Sequence, residues 1–225
     1  VGDNVISMFI DQEKNLWYGT YGMGVSKLTD RKFEIYSKAD GLPDNIIWSV
    51  VEDINGNIWI GNNFGGVSRL VRREGDIYNT ENYKIQNYST ENGFIGDRVN
   101  SISSDRSGDL WFCSEEGLSR LSMPIPVYYG KGNRTRRLNF QNYTINTGLD
   151  KRRVNAFYED RYGNKWLAYT GGGVSLINIK GNKLNTIPIG NPVLKTFDTY
   201  TIFQDKIGDL WFATNGGVVR CKMNP

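Results

Sequence analysis

The chain has 225 residues, 39% apolar and 23% charged, with a net charge of +3: enough apolar material for a sizeable core, and too little imbalance to argue for a nucleic-acid or membrane-surface partner. No apolar run approaches the roughly 18 residues needed to span a bilayer, and the absence of histidine removes the commonest general base near neutral pH and the commonest zinc ligand. Twenty-six glycines, 13% aromatic residues and only six prolines point to an all-β chain with many tight turns.

Taken in order, the first predicted strand is VISMFI, which runs up to Asp11. A turn follows, and Trp17, six residues past that aspartate, marks the second strand. GVSKL, opening at Gly24, reads as the third strand and FEIY, residues 33–36, as the fourth. The same order then recurs. IWSVVE leads to Asp53 and Trp59, VNSISS to Asp105 and Trp111, VNAFYE to Asp160 and Trp166, and TYTIFQ to Asp205 and Trp211. The tryptophans are 42, 52, 55 and 45 residues apart. Third strands follow as GVSRL, GLSRL, GVSLI and GVVRC, and fourth strands as KIQNY, FQNY and the less regular KLNTI.

The turn after each aspartate has glycine at its third position (Gly56, Gly108, Gly163, Gly208), with Lys14 as the departure. Aspartate bonds its own turn amides and glycine accepts positive φ, so D-x-x-G reads as a hairpin turn between first and second strands. Two residues past each tryptophan stands Gly19, Gly61, Cys113, Ala168 or Ala213, a place where packing demands something small. Both cysteines therefore read as buried small hydrophobes.

Units of four short antiparallel strands match the blade of a β-propeller, with the tryptophan as inter-blade core. A β-sandwich is the runner-up, and five copies in phase argue against it. The expectation is one β-propeller region over residues 1–225, with repeats near 1–40, 41–92, 93–147, 148–198 and 199–225. Five first-to-third strand sets and four fourth strands make nineteen. The chain opens at Val1 without a signal-peptide pattern and closes at MNP, where a further fourth strand is due, so the expectation is an open arc cut from a larger array.

The stretch DGLPDNIIWSVVEDINGNIWIGNNFGGVSRL, residues 40–70, resembles the two-component regulator propeller repeat. The resemblance implies the periplasmic or extracellular sensor region of a hybrid two-component histidine kinase of the Bacteroidetes kind. It further implies a ligand that is a breakdown product of a complex polysaccharide, and a signal passed on through a later domain and a membrane helix. No ligand residue transfers by motif.

Loops between fourth and first strands and between second and third strands share one face. There, aromatic rings beside amides and guanidiniums suit a sugar, whose C–H faces stack on rings while its hydroxyls need planar polar partners. The candidate ligand residues are Tyr21, Asn63, Phe64, Arg98, Arg152 and Tyr169. The opposite face carries the long insertions after the third strands of repeats two and three, the second holding Tyr128, Tyr129, Lys131, Arg134, Arg136 and Arg137. These suit a homodimer or neighbouring-domain contact better than nucleic acid. The segment is not expected to insert in a membrane.

No catalytic residue, metal or cofactor is expected. Glu115 and Glu116 are adjacent on an extended segment and point apart. Asp53, Asn55 and Asn57 have calcium-loop spacing, but the sibling turns place Glu, Ser, Tyr or Ile at the third position and none supplies the closing bidentate glutamate. Two functions follow as alternatives: a non-enzymatic sensor input module that binds an oligosaccharide, or a stand-alone extracellular propeller acting as adhesin or protein-interaction scaffold.

Overall fold

A computed structural model describes residues 4–30, 32–72, 83–123, 138–151, 153–181 and 183–223. They form five antiparallel blades. Blade 1 is β1 (Val5–Ile10), β2 (Leu16–Thr20), β3 (Val25–Leu28) and β4 (Phe33–Tyr36); blade 2 is β5 (Ile47–Glu52), β6 (Ile58–Asn62), β7 (Val67–Arg72) and β8 (Tyr83–Tyr88). Blade 3 is β9 (Val99–Ser104), β10 (Leu110–Ser114), β11 (Leu118–Leu121) and β12 (Phe140–Tyr143); blade 4 is β13 (Val154–Glu159), β14 (Lys165–Tyr169), β15 (Val174–Lys180) and β16 (Lys183–Pro188). Blade 5 has three strands among the described residues: β17 (Thr199–Gln204), β18 (Leu210–Thr214) and β19 (Gly217–Cys221).

The turn between first and second strands is closed by its aspartate. In blade 2 the Asp53 carboxylate accepts from the backbone N–H of Asn55 at 2.9 Å and of Asn57 at 3.0 Å, and from the Trp59 indole N–H at 2.9 Å. Both carboxylate oxygens are thus engaged by donors of their own hairpin, which accounts for the oxygen-rich sequence of this turn. The indole bond recurs in every blade, at 2.8 Å for Trp17, 3.0 Å for Trp111 and Trp166, and 2.8 Å for Trp211. Gly56 sits at φ 78°, in the left-handed region. Lys14 adopts φ 68° at the same place, so the departing residue keeps the turn and bears the strain.

A cation on the third strand covers each ring face in four blades. Lys27 Nζ lies 5.4 Å from the Trp17 ring centre, and the guanidiniums of Arg69, Arg120 and Arg220 lie 5.5, 5.4 and 5.3 Å from Trp59, Trp111 and Trp211. Blade 4 has Leu176 at that place.

Each tryptophan face then packs on the opposite face of the next blade. Trp17 and Val25 meet Val50 and Ile60; Trp59 and Val67 meet Ile102 and Phe112; Trp111 and Leu118 meet Phe157 and Leu167; Trp166 and Val174 meet Ile202 and Phe212. A Cβ on Gly19 would lie 2.3 Å from Ser7 Oγ, and one on Gly61 3.0 Å from a Val99 methyl, which explains the demand for small residues. Cys113 fills that place in blade 3, fully buried, and burial pushes its thiol up to about 12. It stays protonated and inert at neutral pH.

The first strands lie innermost: β1 packs beside β5, β5 beside β9, β9 beside β13 and β13 beside β17. No comparable packing joins β17 to β1 among the described residues, so the five blades form an arc. Successive blades are joined by short 3-10 turns in which Ser37, Ser89 and Thr144 cap their own first turn, ending on the left-handed glycines Gly41, Gly93 and Gly148. Before blade 5 a short helix, α1 (Pro192–Thr196), takes that place, capped by Asn191 and anchored by the buried Leu194.

Candidate functional site

Every first strand carries a β-bulge at its second residue: Ile6, Trp48, Asn100, Asn155 and Tyr200. The partner strand has one residue opposite two, so the bulged side chain leaves the alternation and is re-aimed. In blades 3 and 4 it ties neighbours together, with Asn100 Nδ2 donating to the Val154 carbonyl and Asn155 Nδ2 to that of Thr199, both at 2.9 Å. In blade 2 it is a tryptophan that makes no such tie.

Trp48 is the centre of a strip along the loop face. Its indole N–H donates to Asn63 Oδ1 at 3.1 Å, and the Tyr21 ring meets its edge at 6.4 Å between ring centres. On its face lies Arg98, with the guanidinium carbon 5.1 Å from the ring centre. Arg98 Nη1 donates to Glu115 Oε1 at 3.2 Å, and the other oxygen of Glu115 lies 3.7 Å from Arg153. Residues from blades 1 to 4 thus form one row: tyrosine, tryptophan, arginine, carboxylate, arginine. Backbone bonds hold the loops that bear them, from Asn63 N–H to the Ile46 carbonyl and from Glu115 N–H to the Arg98 carbonyl. Beyond the row, Lys151 Nζ donates to the carbonyls of Gly171 and Gly172.

The expected ligand residues fall differently from one another. Tyr21 and Arg98 are in the strip. Asn63 is there too, but buried, with its amide oxygen committed to Trp48. Phe64, the next residue of the same loop, is exposed. Tyr169 is fully buried in the core between blades 3 and 4, where desolvation raises its phenol above the usual range, so it offers no ring to the surface. It ends β14 three residues after Trp166, in register with the buried Thr20, Asn62 and Ser114, a signal the sequence already held. Arg152 and the patch from Tyr128 to Arg137 lie outside the described residues.

Trp48 was legible in a different way. Six tryptophans are present and five mark the repeat, so the sixth is the one that the scaffold does not require. Among the described residues no group of three histidine, cysteine or carboxylate side chains is placed to hold a metal ion, and no helix is long and apolar enough to cross a membrane.

Residues 41–64, which span the GLP turn, β5 and β6, match the family described as two component regulator propeller. That stretch is similar to a two component regulator propeller repeat. The same fold occurs in the extracellular domain of a putative hybrid two component system from B. thetaiotaomicron, at 20% identity and TM-score 0.64 over 100% of this chain and 34% of that one. The extracellular domain of a putative one component system from the same organism matches at 21% identity and TM-score 0.69, over 98% of this chain and 30% of the other. Virginiamycin B lyase from Staphylococcus aureus matches at 13% identity and TM-score 0.66, over 99% of this chain and 71% of the lyase. No curated protein sequence matches. The chain spans about a third of the length of the two extracellular domains whose fold it shares.

Proposed function

We propose that the chain is part of a non-enzymatic, ligand-sensing input module of a two-component signalling protein, working in the periplasm or outside the cell, and that its ligand is an oligosaccharide. The repeat at residues 41–64 supports the signalling context. The observation that carries the ligand reading is the strip from Tyr21 through Trp48, Arg98 and Glu115 to Arg153.

Sugars present C–H patches and hydroxyls on the same ring. Tyr21, exposed at its edge of the strip, offers a stacking surface, and Trp48 is held rigid for the same task by Asn63 and Arg98. Glu115 and Arg153 supply an acceptor and donors in plane with hydroxyl groups. The same residues favour binding over chemistry: Glu115 is paired with the guanidiniums of Arg98 and Arg153.

Calorimetric or glycan-array screening of the chain tests the reading. A saccharide binder is expected, with affinity lowered roughly five- to tenfold by Trp48→Ala, since losing one aromatic contact costs on the order of 1–1.5 kcal/mol. Screening that finds no saccharide, or a binder indifferent to Trp48→Ala and Arg98→Ala, would sink it.

A further inference from the structure

On the loop face one backbone bond recurs in every blade, fastening the residue after the second strand to the residue before the first. In blades 2, 3 and 4 the N–H groups of Asn63, Glu115 and Thr170 donate in this way to the carbonyls of Ile46, Arg98 and Arg153. In blade 3 both members of the pair are charged, and blade 4 brings a second arginine to the same spot.

A carboxylate therefore fills the gap between two guanidiniums that come from neighbouring blades. Arg98 Nη1 donates to Glu115 Oε1 at 3.2 Å, and Arg153 Nη2 lies 3.7 Å from Glu115 Oε2. Two planar guanidiniums converging from separate loops are the donor set that takes up a carboxylate or a sulfate. Glu115 places a carboxylate of the chain's own there. Its side chain is 27% exposed, so a ligand lying along the strip reaches it from solvent.

Neutral and acidic sugars meet this arrangement differently. A hydroxyl group both donates and accepts, so it can give its proton to Glu115 while accepting from an arginine. A uronate carboxylate only accepts. It must either sit beside Glu115 as a like charge or break both ion pairs to replace it, and opposed like charges are a means of rejecting a wrong partner. The surroundings offer an anion no compensation. Lys151 Nζ, the next cation along the face, is turned to the carbonyls of Gly171 and Gly172. The loops of blades 1 to 4 on this face, residues 20–24, 41–46, 62–66, 93–98, 114–117, 148–153 and 169–173, hold five carboxylates against four cations.

We propose that Glu115 is the specificity-determining residue of the strip: it closes the arginine pair to carboxylates and sulfates, so that the ligand is a neutral oligosaccharide. The proposal rests on the saccharide reading above and names the class of sugar.

Two measurements on the intact chain test it. On an array carrying neutral, uronate-bearing and sulfated oligosaccharides, the wild type is expected to bind neutral ones. In calorimetric titrations with inorganic sulfate at constant ionic strength, Glu115→Gln is expected to bind at least roughly tenfold more tightly than the wild type. Adding Arg153→Gln to that variant is expected to abolish the gain, and Glu115→Ser repeats the test so that a folding defect in one variant does not decide it. A wild type that prefers acidic saccharides overturns the proposal. So does a sulfate affinity unchanged by both Glu115 substitutions, or a gain that survives Arg153→Gln. The sulfate gain without any bound saccharide would sink the saccharide reading and leave the exclusion of anions by Glu115 standing.

Discussion

Trp111 and Trp211 carry the same local instructions and meet different fates. Each donates its indole N–H to the turn aspartate six residues earlier, at 3.0 and 2.8 Å, and each has an arginine over its ring, Arg120 or Arg220. Trp111 is fully buried, stacked on Phe157 of the next blade with ring centres 4.5 Å apart, whereas Trp211 has no following blade among the described residues and is half-buried. The placement of the ring is therefore a property of one repeat, and its burial a property of two. Repeat proteins divide their stability in this way, into an intrinsic part and a nearest-neighbour part.

The largest effect that separates the two should come from truncating the rings. Trp111→Ala is expected to cost about 3–5 kcal/mol, the usual range for a buried aromatic, whereas Trp211→Ala costs well under half of that. Equal losses in denaturant melts would mean that the neighbour contributes little. Next in size, Asp160→Ala strips the acceptor from the Trp166 indole and from the amides of Tyr162 and Asn164, leaving buried donors unpaired, at about 2–3 kcal/mol. The same change at Asp205, on the exposed blade, should cost less.

Acid sharpens the comparison further. Burial alone would raise the carboxyls of Asp105 and Asp160, but hydrogen bonds from Lys165 and Trp111, and from Trp166 and Asn164, overcome it and hold both below the usual carboxylate range. A carboxylate that is more acidic folded than unfolded stabilises above its unfolded value, and the gain is lost as pH falls through the folded value. These two aspartates should therefore add no pH dependence from neutrality down to about 4 and a steep loss below it. Denaturant melts at stepped pH check this, and Asp160→Asn should shrink the acid step. Smallest is Lys14→Gly, which relieves the left-handed lysine of the blade 1 turn and should stabilise by about 1 kcal/mol.

Much of the scaffold was legible because the repeat states it five times. Asp to Trp spacing, the small residue two places on and the glycine-valine start of the third strand each follow from one hairpin and one neighbour, and all nineteen expected strands are present. The loop face was less legible. Tyr169 read as a loop aromatic, yet it and its siblings Thr20, Asn62 and Ser114 are buried strand ends. Trp48 escaped for the opposite reason: in an unbroken strand alternation assigns each residue to a face, and only the bulge takes this one out. The capped turns before blades 2, 3 and 4 hide in different letters, Ser-Asp, Ser-Asn and Thr-Thr, that make the same pair of hydrogen bonds.

The bulge at the second residue of each inner strand has an evolutionary consequence. Its side chain belongs to neither face of the sheet, so Ile6, Trp48, Asn100, Asn155 and Tyr200 differ freely in size and polarity while the ladders on either side stay in step. Where this residue makes no tie to the next blade, unlike Asn100 and Asn155, selection can rewrite it without disturbing the frame. A propeller built so can change the surface it presents by single substitutions, while the Asp to Trp hairpins keep folding as before.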